Sequence, residues 1–105
     1  MHLIPLFKGL SDPVRLRIIH LLCQKGELCV CHLTDALVLP QSTVSRHLNT
    51  LRNCGLVVAE RRGAWVYYQI KADDYVLPMM DIIKRASHDD EQLQRDLAML
   101  QQATC

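Results

Sequence analysis

The chain reads as one mainly helical domain carrying a single β-hairpin. Three features predict this. Its 105 residues suit one compact domain rather than two. Apolar residues recur at helical spacing over most of its length. Two short runs, 56–60 and 65–70, break that pattern and flank Arg61-Arg62-Gly63-Ala64 as strands flank a turn.

The elements follow in order, with four helices expected before the hairpin and helical sequence after it. Ser11-Asp12-Pro13 has the form of a helix start, an Asp or Ser cap with Pro in the first turn. Val14, Ile18, Leu21 and Leu22 then recur at helical spacing until Lys25-Gly26 stops the helix. A short helix is expected over about residues 29–37, and Val38-Leu39-Pro40 forms the turn after it, since Pro40 disfavours helical geometry in Leu39. The next helix runs over residues 41–53 and ends at Cys54-Gly55. In the second strand Trp65, Tyr67 and Gln69 share one face, and Val66, Tyr68 and Ile70 the other. Beyond it, Val76, Leu77, Met79, Met80, Ile82 and Ile83 make a dense apolar stretch, and Leu93, Leu97 and Leu100 a cleaner stripe. Ser87-His88-Asp89-Asp90 resembles a capping box, so this region is one kinked helix or two. Met79 and Met80 are expected to pack in a dimer core rather than hold copper.

Half the residues are apolar, which supplies a core, yet a domain this small buries little as a monomer, and a dimer would cover the surplus. The net charge of +1 hides a strong asymmetry. Residues 40–71 carry Arg46, Arg52, Arg61, Arg62 and Lys71 against Glu60 alone, whereas residues 72–105 carry Lys84, Arg85 and Arg95 against seven acids. A basic middle and an acidic tail suit a protein that offers one segment to phosphates. Five cysteines form no secreted disulfide framework, the N-terminus has no charged-then-apolar leader, and no apolar run approaches the ~20 residues that span a bilayer. The expectation is a cytoplasmic protein with reduced thiols and no membrane partner.

The helix over 41–53 is the candidate reader of double-stranded DNA. Val44, Leu48 and Leu51 fall on one face and predict its buried side. Gln41, Ser42, Thr43, Ser45, Arg46, His47 and Asn49 supply hydroxyls, amides and one long cation, and the helix contains no acid. A major groove favours this set, because Arg reads guanine edges, amides and hydroxyls reach bases and phosphates, and no carboxylate faces the polyanion. His47 lies nearest the core boundary. Arg61 and Arg62, expected at the hairpin tip, would lie against the backbone or dip into the minor groove, as the wing of a winged helix-turn-helix does.

Cys29 and Cys31 are the candidate ligands for a thiol-loving ion. Soft thiolates prefer trivalent arsenic or antimony, or heavy divalent ions, and a helix start suits negative ligands. Residues i and i+2 on an ideal helix point ~200° apart, so joint ligation is expected to unwind the first turn of the helix holding them and tilt the reader. Cys105, at the chain end, is an open candidate for a third ligand from its own or a partner subunit. With two sulfurs only, arsenic would complete its shell with hydroxide, a small thiol or an organic substituent, so organoarsenicals are also candidate inducers. His32 adjoins the pair as a modulator or a ligand for a borderline metal. Cys23 and Cys54 are expected to pack.

Leu10-Ser11-Asp12-Pro13-Val14-Arg15-Leu16-Arg17-Ile18-Ile19, Glu27-Leu28-Cys29-Val30-Cys31-His32-Leu33, Gln41-Ser42-Thr43-Val44-Ser45-Arg46-His47-Leu48 and Leu51-Arg52-Asn53-Cys54-Gly55-Leu56-Val57 together resemble the ArsR/SmtB family of metal-sensing repressors, most of all its arsenical-resistance operon repressors. The resemblance covers residues 5–71 and, more loosely, the tail. It implies a homodimeric winged helix joined through its first and last helices, repressing when metal-free and released on binding. Two departures stand out. Thr34 occupies the position where arsenite-responsive members often carry a third cysteine, and residues 1–22 lack the cysteines that cadmium and lead sensors add in an N-terminal arm. His88 is the only histidine of the tail, which argues against the zinc and cobalt site of other members. Two alternatives remain open, a thiol redox or persulfide switch in which Cys29 or Cys31 pairs with Cys54 or Cys105, and a response to cadmium or lead. An enzyme is not expected, because the chain holds no Cys-x-x-Cys, no phosphate cradle and no Ser/His/Asp arrangement.

Overall fold

The computed structural model describes residues 2–103. The chain begins with α1 (Leu3–Leu10) and α2 (Pro13–Lys25). The Asp12 carboxylate accepts the Arg15 backbone N–H at 3.0 Å and caps α2, with Pro13 in the first turn. Gly26, at φ +87°, ends α2 and turns the chain into a strand that the sequence pattern did not predict, β1 (Glu27–Cys29). Then come α3 (Val30–Leu37) and α4 (Gln41–Asn53), the hairpin strands β2 (Val57–Arg62) and β3 (Trp65–Ile70), and two closing helices, α5 (Val76–Ser87) and α6 (Glu91–Gln101). The break between those two is real. Asp90 accepts the Leu93 N–H at 3.0 Å and starts α6 as a separate helix.

The wing is therefore a three-stranded antiparallel sheet in the order β1-β3-β2. Glu27 pairs with Gln69, Cys29 with Tyr67, and Val57 with Ile70. Leu28 and Val57 point into the core, while Trp65, Gln69 and Arg62 are exposed. Strand β2 runs two residues further than expected, so the turn is Gly63-Ala64. Arg61 and Arg62 are strand residues opposite Val66 and Trp65, not the tip itself. The longer ladder wins because each added residue pair satisfies backbone groups that a four-residue loop would leave to water.

Ile18, Ile19, Leu21, Leu22, Leu33, Val44, Leu48, Leu51 and Leu56 form the fully buried centre, so α2 and the α3–α4 pair share one core. Met80 joins this core rather than a dimer core; it is buried, with its sulfur 3.0 Å from the Cys23 thiol. Arg17 on α2 grips the buried Asp96 of α6 through two bonds of 2.8 and 2.9 Å and also donates to the Leu37 carbonyl at 3.2 Å. One guanidinium thus ties α2, the end of α3 and α6 together. Between α3 and α4, Val38 adopts a left-handed conformation at φ +56°, which costs a β-branched residue about 1–2 kcal/mol.

Candidate functional site

Local backbone geometry creates the thiol site. Cys29 is the last residue of β1 and the N-cap of α3, with extended φ −86° and ψ 167°, whereas Cys31 already lies in the helix. The extended residue swings its side chain back over the helix start, and the Cys29 and Cys31 sulfurs stand 2.9 Å apart. The expected need to unwind a turn is thereby corrected. That expectation placed both cysteines within the helix, where a 200° divergence applies; one of them lies outside it. The His32 Nδ1 is 3.0 Å from the Cys29 sulfur and accepts the Cys29 N–H at 3.4 Å. Thr34, at the position of the missing third cysteine, donates its hydroxyl to the Cys31 carbonyl at 2.9 Å and so stabilises the turn instead. The three donor atoms of Cys29, Cys31 and His32 lie within 4.8 Å of one another, with Cys29 buried and the other two half-buried.

The remaining cysteines differ. Burial pushes the Cys23 thiol up to about 11, which makes it a poor source of thiolate. Cys54 is half-buried, its thiol 3.3 Å from the Leu51 carbonyl, and burial raises its pKa as well. Cys105 lies outside the described residues.

A cleft of about 250 Å³ opens beside the thiols. Its walls are Val30, Cys31 and Thr34 of α3, Gln41 at the start of α4, and Ala64, Trp65 and Val66 of the wing. The cleft thus touches the thiol site, the candidate reading helix and the hairpin turn at once.

On α4, Val44, His47, Leu48 and Leu51 are buried. Gln41, Ser42, Arg46 and Asn49 are exposed, with Thr43 and Ser45 at the margin. His47 therefore stands apart from the other predicted DNA-contacting residues. Its Nδ1 lies 3.4 Å from an Arg15 guanidinium nitrogen and 3.9 Å from the Asp12 carboxylate, and burial lowers its pKa, so a neutral ring braces α4 on α2. Arg61 is exposed. Arg62 is engaged within the protein, bonding both Glu27 oxygens at 2.6 and 2.7 Å and Glu60 at 2.8 Å, with its guanidinium 4.8 Å from the Tyr67 ring centre. Sequence reasoning missed this link, since nothing in a chain marks two residues 35 positions apart as partners. It also missed Trp65 as a wall of the cleft. The tie between His32 and Cys29 did leave a trace, the three-residue spacing of a capping box.

Comparison with known proteins matches residues 12–58 to a family model described as bacterial regulatory protein, arsR family. An HTH-type transcriptional regulator of Methanocaldococcus jannaschii is 42% identical over 78 residues, 74% of this chain and 86% of that protein. The arsenical resistance operon repressor of Escherichia coli K12 is 49% identical over 67 residues, 64% of this chain but only 57% of the repressor. Among solved structures, the homodimeric winged helix-turn-helix DNA-binding domain Mb0332 of Mycobacterium bovis, described as a possible ArsR-family regulator, is 30% identical with a TM-score of 0.72, covering 84% of this chain and 80% of that one. All three are described as regulators, repressors or DNA-binding domains, none as an enzyme. Among the described residues no helix is long and apolar enough to cross a membrane.

Proposed function

This chain belongs to the arsR family of bacterial regulatory proteins, and we propose that it is a homodimeric repressor that leaves its operator when Cys29 and Cys31 capture trivalent arsenic or antimony. The observation that carries this reading is the 2.9 Å approach of the two sulfurs at the start of α3, the short helix that a three-residue turn joins to α4. Arsenite needs no backbone change to bridge them. Each thiol displaces one hydroxide from arsenic, its proton leaves with that hydroxide as water, and a bis-thiolate arsenic bearing one hydroxide remains. An organic substituent on arsenic would stand in place of that hydroxide.

Coupling to DNA runs through the cleft rather than through an unwound helix. The third arsenic substituent enters a space shared by Gln41 and the wing residues Ala64 to Val66, so occupancy spreads α4 and the wing relative to each other. Those are the elements that present Gln41, Ser42, Thr43, Ser45, Arg46 and Asn49 to the major groove and Arg61 to the backbone. A coupling of roughly 1–3 kcal/mol weakens operator binding about 5–150-fold. The test is fluorescence anisotropy with DNA from the protein's own promoter, in the presence of a phosphine reductant. Arsenite should release the wild type, while a Cys29→Ser, Cys31→Ser protein should bind equally well and stay bound. Release of the double variant by arsenite sinks the assignment.

A further inference from the structure

We propose that His47 is a positioning residue for operator recognition: its ring accepts a hydrogen bond from Arg15, and that bond fixes the rotation of α4 without touching DNA. This rests on α4 as the reading helix and is independent of the inducer.

The sequence places His47 among the polar residues of α4, yet it is only 6% exposed and lies on the buried face with Val44, Leu48 and Leu51. Apolar packing is non-directional, so those three side chains hold α4 on the core without fixing its rotation. Rotation matters to a reader. Side-chain surfaces lie about 5–6 Å from a helix axis, so a turn of about 20° moves them by about 2 Å, more than a base-edge hydrogen bond tolerates. One directional contact resists that turn. The Arg15 guanidinium is itself held, its Nε donating to the Gly9 carbonyl at 2.9 Å and one Nη to the Lys8 carbonyl at 3.1 Å, both at the end of α1. The other Nη lies 3.4 Å from His47 Nδ1. A guanidinium only donates, so Nδ1 is the acceptor and the ring proton sits on Nε2. Burial favours this neutral ring, with Arg46 and Arg15 acting in the same direction and the Asp12 carboxylate, 3.9 Å from Nδ1, opposing them. Asp12 also accepts the Arg15 backbone N–H at 3.0 Å, so the end of α1, the start of α2 and the middle of α4 meet at one junction.

Two amide substitutions separate this role from packing alone. Asparagine puts its carbonyl oxygen near the place of Nδ1 and keeps an acceptor for Arg15. Glutamine fills more of the space and favours the helix more, but its carbonyl lies one bond further out. Packing and propensity therefore favour glutamine, and the hydrogen bond favours asparagine. Full-length protein is titrated by fluorescence anisotropy against its own promoter DNA and against random-sequence DNA. His47→Gln should lose operator affinity at least roughly tenfold, the size expected for a hydrogen bond to a charged group, while His47→Asn retains most of it. Both should bind random DNA as the wild type does, with the same salt slope, because the phosphate contacts are untouched; that binding also shows both variants to be folded. In an Arg15→Met background, which keeps the stem but no donor, His47→Gln should weaken operator binding no further. NMR of 15N-histidine-labelled protein should find Nε2 protonated and Nδ1 bare at neutral pH. Equal operator affinities for the Asn and Gln variants, losses that add to that of Arg15→Met, or a proton on Nδ1 would each overturn the inference and leave α4 as the reader. A wild type with no preference for its promoter over random DNA would overturn both.

Discussion

Single atoms decide much of this molecule. Gly9 shows this most sharply. It is buried on α1, and a Cβ added there would stand 2.6 Å from the Cys54 sulfur and 2.7 Å from a Leu56 methyl. Both neighbours sit where α4 gives way to β2, so Gly9 allows α1 to lie against the rear of the helix-turn-helix. Gly9 is helical, and alanine would otherwise favour the helix. The clash must outweigh that gain. Gly9→Ala is expected to destabilise the fold by about 1–3 kcal/mol, the range for overpacking a filled core, read as a lower urea midpoint with an unchanged slope. A variant as stable as the wild type would mean that α1 is free to shift. The thiol site rests on an equally local fact, the extended backbone of Cys29. Placing this one residue outside the helix, rather than inside it, is what turns two diverging sulfurs into a pair.

At the scale of elements, the wing is tied to the cysteine turn. Arg62 at the end of β2 reaches across Tyr67 of β3 to Glu27 of β1, two residues before Cys29. The cation expected from the sequence to contact phosphate is thus held by a carboxylate of the strand that ends in Cys29. Glu27→Gln should loosen it. With Arg62 free to meet a phosphate, operator binding tightens at low salt, and the plot of log affinity against log salt steepens by about 0.9 per subunit. Anisotropy titrations across a salt series read both effects, and an unchanged slope would show that Arg62 does not compete between Glu27 and DNA. How legible each element was in the sequence follows from its physics. The α4 helix was plain because Val44, Leu48 and Leu51 repeat at helical period beside an acid-free face. The Ser87-His88-Asp89-Asp90 run marks the break but not its register, because Ser87 closes α5 and Asp90, not Ser87, caps α6. Strand β1 was invisible because three residues carry no alternation, and its existence depends on pairing with β3, about 40 positions away. Missing it misplaced the start of α3, and with it the geometry of the thiols. Arg62 was read as a free cation for the same reason, since its partner lies on the unseen strand.

The whole molecule leaves apolar surface unspent, and its location bears on the assembly. The stripe on the last helix is largely consumed at home, with Leu93 and Leu100 buried within the subunit and Asp96 pinned by Arg17. On the first helix and the two closing ones, the large apolar side chains that stay exposed are Leu3, Ile4 and Phe7 on α1, Leu77 and Ile82 on α5, and Met99 on α6. Three large side chains on an eight-residue helix exceed what a solvated surface carries by chance, and a two-fold interface would cover them in both copies at once. Phe7 is the most exposed of the α1 trio at 55%. Burying a fully exposed Phe contributes about 1.5–3 kcal/mol; only the exposed half of Phe7 remains to be covered and two-fold symmetry doubles it, so Phe7→Glu should weaken dimerisation by about 2–3 kcal/mol, or roughly thirty- to two-hundred-fold in Kd. Sedimentation equilibrium should then show a folded monomer at concentrations where the wild type is dimeric, while the same substitution at Val58, exposed on β2, leaves the dimer whole. Operator affinity should fall with the dimer, because two reading helices joined by the interface bind adjacent half-sites as one unit and separate monomers do not. A Phe7→Glu protein that stays dimeric would move the interface away from α1.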